Sequence, residues 1–452
     1  MKYLKKISFK RVPIWIIALI IIFNLIIVVQ FGYLVTKSKT ALKIAQIPNT
    51  LSKIFSGNLN EFGKDINRFG NKSGLYVYPK LEDNKYLLLS RYDNTLKRSV
   101  VELIDLKKKE IINTWKPDIK HINKLSKLPR DRFNLERDHG PKRYMINHPW
   151  LNNDGSLIFK GEETPLTKID KCSNVVWSLD YAFHHSIEKD HEKNYWVPMI
   201  YFPKKVTAGF DEKYGSSVQY FVDDGIMKVS NDGKVLFQKS VMQIFIENDL
   251  GHLIFPSQAE GSFDPIHVND IQPVVNDGLH YKVGDVFLSL RNLSMIVLYR
   301  PSSNKIIWFK KYPWKYQHDV DILDKNRISV FNNKNIIFYP RIVKNTEDSH
   351  LTNNILIYDF EKKKIFNNYE KIFKKFDIKT NLEGLSEIID NQVFIEETEF
   401  GRIIFSDENG ELLFEYINRD KNGKIYPLNW SRILKREEIT MAINNLKEKK
   451  CS

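Results

Sequence analysis

One pattern returns six times after Leu75: an apolar run, a second run ending near Asp, a polar turn, and a last run closing on Trp or Phe. Leu103-Ile104-Asp105 leads to Ile111 through Trp115, Lys168-Ile169-Asp170 to Val175-Val176-Trp177, and Lys228-Val229-Ser230 to Val235-Leu236-Phe237. The same shape recurs from Leu298 to Trp308, from Leu356 to Phe366 and from Ile404 to Phe414. Short β-branched and aromatic runs divided by Asp, Asn, Gly and Lys read as antiparallel strands, and no long amphipathic helix competes with them. Repeated radially, such four-stranded units bury one another's faces and leave only short edges. The spacing therefore predicts an all-β fold, a six-bladed β-propeller over residues 72–432, followed by a C-terminal tail at 433–452.

Ahead of the repeat, residues 12–35 are almost wholly apolar, interrupted by Asn24 and Gln30. At about 1.5 Å rise per residue, such a helix can cross a hydrocarbon core of about 30 Å. The run is longer than the apolar core of a cleaved leader, and no small-x-small site follows it. This predicts a single N-terminal transmembrane helix. Lys2, Lys5, Lys6, Lys10 and Arg11 make residues 1–11 a basic flank on the cytoplasmic side, although Lys37, Lys39 and Lys43 weaken the asymmetry. The large domain is then expected on the outer face of the cytoplasmic membrane, in the periplasm or its extracytoplasmic equivalent. Residues 36–71 form a connector with a loose helical spacing of apolar positions.

The formal net charge of +14 accompanies abundant Lys, Asn and Ile, without an arginine-rich run interleaved with stacking aromatics. Nucleic acid is therefore not an expected partner, while a diffuse positive field suits anionic small molecules. Cys172 and Cys451, the two cysteines, suggest neither a disulfide framework nor a zinc site.

Residues able to do chemistry sit at one point of the unit, where its innermost strand begins: His148, the pair His184 and His185, His267 with Asn269, and His318. In this register His185 aligns with His318. The last unit has Glu383-Gly384-Leu385-Ser386 there instead. In a closed ring these positions converge at one mouth of the central channel.

Three segments carry a further likeness: Phe183-His184-His185-Ser186-Ile187-Glu188; Asp264 through Pro273 followed by Gly284 through Asn292; and Tyr316-Gln317-His318-Asp319-Val320-Asp321. Their H-x-N, S-L-R-N and Q-H-D motifs, in that order, resemble the arylsulfotransferase family of bacterial periplasmic six-bladed propellers. The resemblance implies ping-pong transfer of a sulfuryl group from an aryl sulfate donor to a phenolic acceptor, with no nucleotide sulfate donor and no cofactor. It implies that His318 becomes a sulfohistidine, that His267, Asn269 and Arg291 hold the sulfate oxygens, and that His184 or His185 is the acid or base on the phenolic oxygen. The residue types suit this chemistry. A neutral imidazole is nucleophilic near pH 7, and a guanidinium fork with imidazole and amide donors suits charge spread over equatorial oxygens. Asp319 follows His318 on a strand, so it points to the opposite face and reads as a turn or inter-blade hydrogen-bonding residue. The closing unit offers Glu383, Ser386, Glu396, Glu397 and Thr398 without a sharp motif match, and the anchor departs from the family's usual soluble or secreted form.

Two other readings use the same residues. Histidines near Asp and Glu at a propeller axis are potential metal ligands, against which Arg291 in the same pocket argues by repulsion. A non-catalytic propeller that binds a ligand or an envelope partner would retain the fold alone.

Overall fold

A computed structural model describes residues 14–36, 63–64, 66–205, 222–254, 264–334, 352–380, 383–448 and 451. The chain forms two units, Met1–Glu61 and Phe62–Ser452. In the first, Ile14–Thr36 is helical, and Asn24 satisfies its side-chain amide on the Ile20 carbonyl at 2.8 Å. Side chains are described continuously there only over 18–28, and among the described residues no helix is long and apolar enough to cross a membrane.

Among the described residues the second unit has five antiparallel sheets. The first has the order Arg432–Lys435, Lys85–Asp93, Arg98–Asp105, Glu110–Trp115. The third runs Val268–Pro273, Val286–Leu290, Met295–Arg300, Lys305–Lys311, and the fourth His318–Ile322, Arg327–Asn332, Asn354–Asp359, Lys364–Phe366. The fifth carries Leu385–Ile389 at one edge and Gly74–Val77, from the start of the unit, at the other. Six separate four-stranded sheets were expected. Instead, the second and third repeats share one eight-stranded sheet, because the strand Val175–Phe183 runs on until Phe183 and Ala182 pair with Met199 and Ile200.

Local sequence explains these strands. Val286–Leu290 is apolar except for Ser289 and buried throughout, whereas Lys305–Lys311, at the sheet edge, alternates exposed Lys305, Ile307, Phe309 and Lys311 with half-buried Ile306, Trp308 and Lys310. Asp170, Asp190, Asp407 and Asp420 each close a polar turn by accepting from the backbone N–H groups two and four residues on.

Each sheet shares an apolar core with the next. Cores join the first sheet to the second, the second to the third, the third to the fourth, the fourth to the fifth, and the fifth to the first. The result is an all-β, propeller-like arrangement that closes on itself. Its closure extends beyond residue 432: Arg432–Lys435 pairs with Lys85–Leu88, and the helix Arg436–Lys447 buries Ile439, Ala442 and Ile443 in the core between the first two sheets. The two cysteines, read from the sequence as no framework, are in fact joined: Cys172 and Cys451 form a disulfide across 279 residues.

Backbone donors of the inner strands are satisfied by side chains of the preceding sheet. Asp224 accepts from Val268 N at 3.0 Å, Asp270 from Val320 N at 2.8 Å, and Asp319 from Ser386 N at 2.8 Å. Asp319 therefore has the inter-sheet hydrogen bond read for it from the sequence.

Candidate active site

The inner strands begin with unusual backbone. His148, His185, His267, Asp319 and Trp430 have φ between 44° and 57°, and Gly384 has φ 141°, so every repeat carries such a residue here, and the fifth carries a second in Tyr316 at 49°. Left-handed conformations are costly for non-glycine residues and concentrate where a fold holds side chains for function. Bulges interrupt these inner strands between Asn147 and Trp150, between Val268 and Asp270 and between His318 and Val320.

His185 is the spatial partner of His318. Its ring centroid lies 4.9 Å from that of His267, 6.2 Å from His318 and 6.2 Å from Trp430. Trp430 also meets His318 edge to face at 6.1 Å and His148 at 5.3 Å. His184 stands behind His185, with the two Nδ1 atoms 2.9 Å apart, and its Nε2 lies 3.3 Å from Asp224 Oδ1. The structure thus separates the neighbours: His185 meets the other site rings, and His184 connects it to a buried carboxylate.

The remaining sequence-derived residues fall around this group. His318 Nδ1 is 2.8 Å from Asn333 Oδ1, while its Nε2 is buried with no hydrogen-bond partner. Arg291 lies over the Tyr316 ring at 5.4 Å; Nη1 donates to Asn292 Oδ1 at 3.1 Å, and Nε is buried and unpartnered. His267 pairs through Nδ1 with Asp264. Asn269 donates from Nδ2 to the Gln317 carbonyl at 2.7 Å, which secures the residue before His318. His148 accepts from Ile187 N through Nδ1 at 3.2 Å and faces Glu188 at 3.5 Å through Nε2, so it serves the joint between inner strands.

Electrostatics divide the histidines. Burial, then Arg291 and His267, hold His318 well below the ordinary imidazole value. Burial, then the rings of His267, His184 and His318, do the same for His185. His184 goes the other way: burial opposes its charge, but Asp224 and Glu162 outweigh that and raise it. Two neutral imidazoles and one that favours its proton therefore share the site.

Several residues at the site carried no sequence signal. Lys160, at the end of a second strand, is fully buried and donates from Nζ to the His185 carbonyl. Burial lowers it to about 7 against the pull of Glu162 and Glu383. Glu383, which the sequence reading did note, is pushed up to about 8 by burial and by Glu162, Glu399 and Glu396. Asn333, Asp224 and Trp430 belong to no motif, although Trp430 could have been found by carrying the histidine position into the closing strand. Glu162, His184 and His185 offer three ligand atoms within 4.8 Å of one another, the arrangement among the described residues that suits a metal ion. Lys160 interacts with both Glu162 and His185, which sets a cation beside that position.

The family model described as Arylsulfotransferase (ASST) matches residues 148–419, a span that holds every one of these histidines. No curated protein matches the chain. Among solved structures, a protein of unknown function from Bacteroides caccae is similar with a TM-score of 0.44 and 11% identity, covering 78% of this chain and 99% of its own. A virginiamycin B lyase from Staphylococcus aureus has a TM-score of 0.34 and 10% identity over 62% of this chain and 72% of its own. A streptogramin B lyase has 0.33 and 13%, over 60% and 68%.

Proposed function

The chain belongs to the arylsulfotransferase family, and from that premise we propose that it moves a sulfuryl group from an aryl sulfate to a phenol through a sulfohistidine on His318, with no nucleotide donor. The observation that carries this reading is the buried Nε2 of His318, which has no hydrogen-bond partner, together with the unpartnered Nε of Arg291, whose charge helps to hold the ring neutral. A lone pair without a proton or partner is a nucleophile, and a guanidinium with a free donor is an anion clamp.

In the first half-reaction the Nε2 lone pair attacks sulfur, an N–S bond forms, and the S–O bond to the aryl oxygen breaks with its electrons leaving on the phenolate. Arg291 and His267 hold the sulfate oxygens, and Asn269 supports them through its tie to Gln317. His185 gives its proton to the phenolate, and His184, favoured in its protonated form by Asp224, resupplies it through the Nδ1 contact. In the second half-reaction His185 takes the proton of the acceptor phenol, its oxygen attacks sulfur, and the N–S bond breaks to return His318. Neutral His185 and proton-holding His184 suit these opposite demands.

The same reading extends to the whole chain. The eight-stranded sheet counts as two blades, which makes the ring six-bladed. The apolar segment 12–35 anchors it in the cytoplasmic membrane with the catalytic unit on the outer side; the basic flank, the exposed apolar side chains Leu19 through Val28 of the helix and the Cys172–Cys451 disulfide support that placement.

The test is incubation of the full chain in detergent with a chromogenic aryl sulfate and no acceptor. Intact-protein mass spectrometry should show one added sulfuryl group, peptide mapping should put it on His318, and His318→Asn should lose both adduct and turnover. Turnover by His318→Asn at the parent's rate would overturn the mechanism. The Glu162, His184 and His185 arrangement favours a second reading, metal-assisted hydrolysis of the ester. In that case the purified protein would contain a stoichiometric divalent metal, and a chelator would stop turnover without any adduct at His318.

A further inference from the structure

A histidine can present either ring nitrogen, and which one is bare depends on the hydrogen bond made by the other. For His318 that choice is made by an amide just past the end of the next strand. We propose that Asn333 is a positioning residue that fixes His318 as the Nδ1–H tautomer and thereby keeps Nε2 bare for attack. This rests on the reading of His318 as the nucleophile.

The argument turns on the orientation of the Asn333 amide. An amide and an imidazole at hydrogen-bond distance have two self-consistent arrangements: carboxamide oxygen to N–H, or carboxamide nitrogen to bare nitrogen. The surroundings allow one. Asn333 Nδ2 donates to the Glu383 carbonyl at 3.2 Å, and a flipped amide would put two acceptors against each other there. Asn333 is also held by its backbone: its carbonyl accepts from Asn353 Nδ2 at 2.9 Å. Asn353 in turn donates to the Thr380 carbonyl at 3.1 Å and accepts from Thr380 N at 2.6 Å. Asn333, Asn353 and Thr380 are each 2% exposed, so water does not offer an alternative partner. Asn333 Oδ1 must therefore face His318, and its partner nitrogen, Nδ1, must carry the hydrogen.

An amide suits this post better than a carboxylate. Around His318 stand Arg291, His267 and His185, together with the Tyr316 backbone carbonyl, which like Asn333 favours an N–H on the ring, with Asp319 next in sequence and Glu383 behind Asn333. A neutral acceptor fixes the tautomer without drawing a second proton onto the ring. Aspartate would fix the same tautomer but stabilise imidazolium, which has no lone pair to give.

The test has two arms. In the full chain labelled with ¹⁵N-histidine, with His318→Gln to assign the signal, the His318 resonances should report Nδ1 protonated and Nε2 bare at pH 7. In acceptor-free burst kinetics, Asn333→Asp should move the acid limb of phenol release upward by about 1–3 pH units. Asn333→Leu should slow the burst on the order of a hundredfold without raising KM, since the ring is free to turn or change tautomer. An Nε2–H tautomer in the parent overturns the proposal, as does an unmoved acid limb in a folded Asn333→Asp. If neither variant folds, the parent's tautomer decides. An Nδ1–H tautomer in a parent that never forms an adduct would strike the sulfohistidine reading and leave the positioning role standing.

Discussion

Lys160 donates from its buried ammonium to the backbone carbonyl of His185, the residue whose ring meets those of His267 and His318. The bond secures a left-handed residue from a strand of the preceding repeat, so a charge and a strained backbone share one position.

That charge has a measurable pH signature. Burial lowers Lys160 to about 7, below the roughly 10.4 of an unfolded lysine. Between these values the unfolded chain keeps a proton that the folded chain has released, so stability rises with pH across that window. Lys160→Met should therefore melt above the parent below pH 7, with the gap narrowing as pH approaches 10. Thermal denaturation at pH 6 and pH 10 checks this, and a gap independent of pH would mean that the ammonium is solvated. Turnover should still fall in the variant, on the order of tenfold to a hundredfold, as His185 loses its hold.

His184 and His185 should fail differently. His185→Gln removes the group beside His318 and should slow both half-reactions by about a hundredfold or more, as loss of a general acid and base does. His184→Gln leaves that group but removes the proton store fed by Asp224. Its adduct should still form with an aryl sulfate whose phenolate leaves readily, and slow with one that needs protonation. Single-turnover rates against a leaving-group series separate the two, and equal slopes for both variants would argue against a relay.

A second pH effect lies on the inner strands beyond the histidines. Burial raises Glu387 to about 8, with Glu188 adding to the rise while Arg432 opposes it, and burial with Glu188 raises Asp270 to about 7. Unfolded carboxyls titrate near about 4. The folded chain thus holds protons between pH 4 and 8 that the unfolded chain has lost, and its stability falls as pH rises through that window. Glu387→Gln should leave the melting temperature nearly unchanged at pH 4.5 and raise it by about 2 °C or more at pH 8.5. Equal shifts at both values would remove the titration of Glu387 as the cause.

What the sequence made legible follows what repeats. Strand order, inner-strand histidines and the Arg291 motif recur or match at fixed offsets, and His185, His267 and His318 do meet in space. Residues that act once are invisible to that method. Asn333 follows a strand, Lys160 and Glu162 flank a glycine, and Asp224 opens a strand, each without a motif. The bulges at the starts of the inner strands are likewise hidden, because one bulged residue shifts side chains without altering spacing in the sequence. The merged sheet depends on two residue pairs at the end of one strand, below anything a hydrophobic pattern encodes.

The cysteine pair was hidden for a similar reason, since 279 residues of separation give no local cue and only closure of the ring brings the ends together. Cys172 lies in the Asp170 turn of the second sheet, and Cys451 follows the helix that covers the core between the first and second sheets. The helix is also held by Lys171, which donates to the Asn445 carbonyl at 2.5 Å, and by Asn445, which donates to the Asn153 carbonyl at 2.8 Å. The bond therefore adds to contacts that already position the helix, and its main effect is to restrict the unfolded chain. Cys451→Ser should cost about 2–5 kcal/mol of stability and lower the melting temperature, with sheet content and His318 reactivity retained. A reductant should bring the parent to the variant's melting temperature and leave the variant unchanged. If the parent's melting temperature does not respond to reductant under conditions that free both thiols, the helix contacts alone hold the C-terminus, and the disulfide contributes nothing to the closed ring.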